Sequence, residues 1–307
     1  MRPLYEIQQS AVAEGPQKGQ FFQSGERGAA VDGGTYTYVQ FLEAASTGDV
    51  LADVDHHGLV GQAGAVALTS ASAVKSRSLV ATGKFTSNYL VGALGLITEG
   101  PGTGQSFVIV EKKSDDEVRI MLKRDASGVK PVKDYGWRVA LTTSSKFRLS
   151  APGRVKKATS DLRQVLRGIL EIYDVESTDV GSWGWVRQEG PTQAAYDVSS
   201  SSDISPGGYL MMSREASNAA GKVIGATNPF VDLGSTSVSG AVSIVNDGAS
   251  TKYYGQPPIV GRSMFQLDGT QPTNDFLIPI LSTIHNTFQS YARPTGPDSA
   301  VHRTRIS

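Results

Sequence analysis

Thr35-Tyr36-Thr37-Tyr38-Val39-Gln40-Phe41 is a β-branched and aromatic run with period-two alternation, entered from the turn Asp32-Gly33-Gly34. It reads as a strand. Beyond it, turn residues recur about every eight to twelve positions, as all-β sandwiches and barrels require. They fall at Gly48-Asp49, His57-Gly58, Gly83-Lys84, Gly92, Gly100-Pro101-Gly102-Thr103-Gly104, Ser127-Gly128 and Pro152-Gly153. Short apolar runs lie between them, among them Leu94 to Thr98, Ser106 to Val110 and Val118 to Leu122, and after Pro191 Tyr209 to Met212, Gly240 to Val245 and Phe276 to Leu281. The expected fold is all-β: sandwich or small-barrel units of short antiparallel strands, with extended N- and C-terminal arms.

One segment resists this pattern. Leu162, Val165, Leu166, Ile169, Leu170 and Tyr173 recur at helical spacing behind a cap at Ser160 or Asp161, yet Val165 to Val175 also reads as a strand. Pattern alone leaves both open. A faint echo links Tyr38 through Val50 with Tyr209 through Val223, each read as strand, small polar turn and strand; duplication or a shared hairpin solution would explain it.

Composition narrows the function. The 307 residues include 34 glycines and no cysteine, which excludes disulfides, thiolate metal sites and cysteine catalysis. The 29 basic and 29 acidic side chains cancel, so the field that holds a nucleic acid is missing. The total hides an asymmetry: residues 111 to 168 carry 15 basic and 7 acidic side chains, between flanks with 6 and 9 and with 8 and 13. Such a basic centre fits solvated strand faces, or a surface complementary to an acidic partner or to another copy. No apolar run resembles a signal peptide or membrane span, so a soluble protein made in a cytoplasm is expected.

Residues 1 to 30 hold only Phe21-Phe22 as a strong apolar pair and read as an extended arm that orders on something else. A β domain over 31 to 190 follows, then 191 to 285 as a second β unit or a continuation of the first. Four serines at 199 to 202 mark a loop, and 286 to 307 form a polar tail.

The search for chemistry finds little. Asp53-Val54-Asp55-His56-His57 is the one metal-competent cluster, since in a strand Asp53, Asp55 and His57 would share a face; a polar hairpin end closed by Gly58 is the alternative. The Gly100–Gly104 loop has phosphate-cradle composition but is followed by a strand, so a hairpin is expected. Asp115-Asp116-Glu117 reads as a solvated turn beside Lys112 and Lys113. Trp137, Trp183 and Trp185 would suit a sugar site or core packing, the latter with one ring on each face.

Three passages carry a resemblance. Gly33 to Gln40 with Ala44 to Val50, then Tyr89 to Ile109, then Gly181 to Gly190, resemble in order the early strand, the glycine-rich hairpin and the "GWV" strand of tailed-bacteriophage capsid decoration or cement proteins. The resemblance implies an all-β virion protein that is made in the host cytoplasm and binds the outer capsid face, with the major capsid protein and itself, as a homotrimer, for partners. It tips residues 165 to 175 towards strand, and it brings no catalytic residue, cofactor or metal. The basic stretch around 125 to 160 and residues 226 to 307 depart from the pattern. The expected reading is a non-enzymatic shell stabiliser with no small-molecule substrate, nucleic acid or membrane as partner. Its expected contacts are Phe21 and Phe22 of the arm, the basic residues Arg148, Arg154, Lys156 and Lys157, and the tail. Alternatives are a major shell or tail component, or a glycan-binding or glycan-cleaving β protein.

Overall fold

A computed structural model describes residues 15–29, 33–62, 64–122, 137–159, 165–197, 204–213, 220–226, 231–232, 242–246, 250–255, 259–266 and 276–284. The expected serine loop and C-terminal tail lie outside the described residues, as does much of the basic stretch before Trp137. The first strands are β1 (Arg27–Ala29), β2 (Thr35–Phe41) and β3 (Val50–Val54), followed by a short helix α1 (His56–Val60). Next come β4 (Val66–Ala67), β5 (Ser78–Val80), β6 (Leu94–Glu99), β7 (Ser106–Lys112), β8 (Glu117–Leu122) and β9 (Lys146–Lys157). Then follow β10 (Leu166–Ile169), β11 (Trp183–Tyr196), β12 (Tyr209–Met212) and β13 (Val223–Ala226). The last are β14 (Val231–Asp232), β15 (Val242–Asn246), β16 (Ser250–Gly255), β17 (Ile259–Ser263) and β18 (Phe276–Thr283). The all-β expectation holds, and the ambiguous segment contributes the strand β10.

The chain divides into two compact units, residues 1–52 with 156–307, and residues 53–155. The boundary drawn from sequence after residue 190 falls inside β11, which runs unbroken for 14 residues. Gly190-Pro191 looks like a turn in sequence, but Gly190 takes φ +104 within the strand, and Pro191 lies just beyond Glu189, the last residue that β2 pairs. A proline is tolerated where the ladder on one side has ended.

In the unit of residues 53–155 the ladders run β5–β8–β7–β6–β9–β4. Thr69, just past β4, donates its N–H to the Val80 carbonyl of β5 at 3.0 Å, which closes the circuit into a small barrel. Alternation fills it. Along β9, Phe147, Leu149, Ala151 and Val155 point inward while Arg148, Ser150 and Pro152 face out. Phe147 stacks on Phe85 with ring centroids 5.7 Å apart, and Phe107 meets Trp137 edge-on at 5.8 Å. Gly100, Gly102 and Gly104 all take positive φ in the loop joining β6 to β7, so this is the expected hairpin.

The other unit is built around β11. Its first half pairs with β2, its second half with β18, and the circuit β11–β18–β17–β12–β13 closes where Tyr196 meets Val223 in parallel register. Tyr196, Leu210, Met212, Val223, Val260 and Ile280 are buried in the cluster that fills it. β12 and β13 pair as a hairpin, whereas β2 pairs with β1 and β11 and β3 with β10, so the sequence echo does not extend to the pairing. β14, β16 and β15 form a separate three-stranded sheet. Among the described residues no helix is long and apolar enough to cross a membrane.

Candidate assembly surface

The expected N-terminal arm is anchored on its own unit over the described part, residues 15–29. Gln17 and Trp183 exchange backbone hydrogen bonds at 2.7 Å each way, and β1 lies antiparallel on β2 with Arg27 opposite Thr37 and Ala29 opposite Thr35. The reason is aromatic. Tyr36 and Tyr38 on β2 and Trp183 and Trp185 on β11 share one face and form a cluster against which Phe22 packs. The Phe22 ring lies 5.2 Å from Tyr38 and 5.2 Å from Trp185, edge-on to both. Such pairs contribute about 0.5–1.5 kcal/mol beyond area burial.

Trp183 and Trp185 therefore do not sit on opposite faces. Two residues apart on a strand, they point the same way, and both are buried, at 8% and 2% exposure. An open sugar groove between them is not present among the described residues. The Trp185 indole Nε1 has no hydrogen-bond partner there. Phe21, beside the seated Phe22, is 70% exposed, and its N–H donates to the Tyr38 hydroxyl at 3.3 Å. Gln17 Oε1 accepts from the same hydroxyl at 3.2 Å.

The four expected basic contact residues are placed on β9 but do different work. Arg148 faces outward and is exposed. The half-buried Arg154 donates from Nη1 to the Tyr89 carbonyl at 2.6 Å and from Nη2 to that of Val91, and burial lowers its guanidinium pKa. Lys157 lies 3.6 Å from the buried carboxylate of Asp49, while its backbone N–H donates to Glu43. Burial raises the Asp49 carboxyl above its ordinary value, against the hydrogen bond from Ser46 and the nearby Lys157 that pull it down. Lys156 is half-buried. Arg154 and Lys157 thus make internal contacts, and Arg148 is the cation most open to a partner among these four.

A second outward face was not read from the sequence. Arg262 of β17 stacks over the Tyr209 ring of β12 at 4.6 Å and donates to its hydroxyl at 2.7 Å. Leu281 lies opposite Arg262, and Met264 and Phe265 follow β17, all at least 43% exposed. Phe276 to Leu281 is apolar throughout, so no alternation in the sequence marked which of its residues face outward.

The metal-competent cluster is used structurally. β3 ends at Val54, and Asp55 caps α1 by accepting from the Gly58 N–H at 2.9 Å, so Asp53, Asp55 and His57 do not share a strand face. Asp53 accepts from the Gly153 N–H at 2.8 Å. The buried His56 accepts the Leu149 N–H at Nδ1 and meets the Gly64 carbonyl through Nε2. No group of three or more metal-competent side chains occurs among the described residues. Asp115 and Glu117 pair with Lys112 and Lys113 in the turn between β7 and β8.

No protein-family model matches the chain, and neither a curated protein nor a solved structure matches it.

Proposed function

We propose that the protein is a structural, non-enzymatic component of a tailed-phage virion that binds the outer capsid surface and stabilises the shell by bridging neighbouring major capsid subunits as a homotrimer. The observation that carries this reading is that the three stretches resembling decoration proteins fall on paired strands and the turns that join them. Gly33 to Gln40 with Ala44 to Val50 covers most of β2 and the turn into β3, Tyr89 to Ile109 covers a loop and the β6–β7 hairpin, and Gly181 to Gly190 covers the start of β11. A resemblance concentrated in paired strands and glycine corners belongs to a fold, leaving loops, arms and outward faces to meet the partner.

Support also comes from the placement of charge and rings. Arg148 stands outward, and Phe21 is an uncovered ring on an arm. Each contact of a lattice-binding protein is modest, and repetition supplies avidity. Burial of Trp183 and Trp185 weighs against a glycan-binding alternative.

The test is sedimentation of purified protein with emptied phage shells, together with its mass in solution. Saturable binding and a trimeric mass are expected. A strictly monomeric protein that leaves every shell undecorated overturns the reading.

A further inference from the structure

We infer that residues Gly15–Ala29 form an exchangeable arm, and that the aromatic slot on β2 and β11 takes this segment from a second copy of the chain as well as from its own. The inference deepens the assembly reading and rests on it for the crowding of copies, but its test needs no shell.

The slot cannot stand empty. Withdrawing Phe22 and the bridge at Gln17 would uncover Tyr38, Trp183 and Trp185 together, a contiguous aromatic patch of the kind that recruits another chain. The seated segment also shows what the slot accepts: an extended backbone that pairs along the start of β2 and drops one phenyl ring between an indole and a phenol.

The contacts that seat the segment are the Gln17–Trp183 bridge, the β1–β2 ladder, the Phe22 ring and the two hydrogen bonds at the Tyr38 hydroxyl. A second copy carries every one of these groups, so exchange rebuilds the same contacts and costs little beyond association. What decides between the two arrangements is the pivot and the local concentration. Gly33 stands at φ +83, and as glycine it can take up other backbone conformations at the pivot without a side-chain penalty. Copies held side by side on a lattice raise the concentration term. Phe21, 70% exposed beside the seat, then falls at the junction between copies.

The chain has no cysteine, so disulfide trapping is unambiguous. Ala29 and Thr35 are directly paired across β1 and β2, within the span a disulfide bridges. An Ala29→Cys protein carrying a mass tag is mixed at high concentration with an untagged Thr35→Cys protein, equilibrated and oxidised. The expected product is a tagged–untagged dimer severalfold more abundant than either homodimer, and Phe22→Ala in both partners abolishes the excess. Mixed dimer no more abundant than the homodimers, or an excess that Phe22→Ala leaves unchanged, overturns the inference. A chain carrying both cysteines provides the control: oxidation to interchain species that grow with concentration supports exchange, and oxidation within one chain at every concentration overturns it.

Discussion

Arg187 donates from Nη1 to the Tyr36 hydroxyl at 3.0 Å while its guanidinium lies 5.0 Å from the centre of the same ring, and it does so at 2% exposure. The Tyr36 hydroxyl in turn donates to Glu171, which lies 3.6 Å from Arg187, and Arg187 Nε donates to the Glu189 carbonyl. A buried cation is tolerated only with such partners. Glycine makes the room, because a Cβ on Gly34 would stand 2.4 Å from Arg187 Nη2. Arg187→Ala leaves Glu171 and Tyr36 without their cation and is expected to cost about 3 kcal/mol. Urea denaturation measures it, and a loss below about 1 kcal/mol, the worth of a surface pair, would show that the network is not structural.

The same network fixes an alkaline limit. Burial first, then the hydrogen bond to Glu171 and its charge, pushes the Tyr36 phenol up to about 12, against the opposing pull of Arg187. The folded state therefore keeps a proton that the unfolded chain releases near its ordinary value of about 10. The stabilisation is whole below that value and is lost as pH rises from about 10 towards about 12. Urea midpoints measured across this window should fall for the native chain and fall less steeply for Tyr36→Phe. Parallel curves for the two proteins would refute the assignment.

His56 sets an acid limit in the unit of residues 53–155. With the Leu149 N–H directed at Nδ1, Nε2 carries the proton that meets the Gly64 carbonyl, so the ring is neutral. Burial lowers its pKa, with the positive charge of Arg148 acting the same way and Gly64 and Asp55 opposing. As pH falls, the unfolded chain binds a proton first, near about 6.5, so stability present above that value is lost below it. His56→Ala should remove this slope and cost about 1–3 kcal/mol at neutral pH through the buried Leu149 N–H left unmatched, whereas the exposed Gly64 carbonyl keeps Gln62 Nε2 as a donor. Denaturation at neutral and at mildly acid pH checks both, and an unchanged acid slope in the variant would sink the assignment.

Much of the fold was legible because strand alternation and glycine corners are local signals. Thr35–Phe41 and the hairpin around Gly100–Gly104 follow from residue type and spacing alone. The division of the chain was not legible. Gly190-Pro191 carries the composition of a turn, but the strand continues because β18, far along the chain, pairs Glu189 through Tyr196 where the β2 ladder ends. The basic residues on β9 were visible as charge, but their roles depend on partners far along the chain: Tyr89 and Val91 for Arg154, Asp49 for Lys157. Phe22 was legible as the arm's apolar residue but was expected to meet a partner, and its seat on its own chain was not legible, because the slot is assembled from two strands almost 150 residues apart in sequence.

The barrel of residues 53–155 depends on one missing methyl group. Gly95 of β6 lies against the Phe107 ring, and a Cβ there would stand 2.1–2.6 Å from three ring atoms. Phe107 cannot swing aside easily, since Trp137 and Phe147 meet it edge-on at 5.8 and 6.2 Å. Gly95→Ala is therefore an overpacking substitution, expected to cost about 1–3 kcal/mol although alanine is otherwise the better-ordered residue. Shrinking the partner should compensate. Phe107→Leu alone leaves a void and destabilises, while Gly95→Ala with Phe107→Leu should be less destabilised than the sum of the two single variants. Thermal and urea unfolding of the four proteins make a double-mutant cycle, and strict additivity would show that the clash is relieved elsewhere.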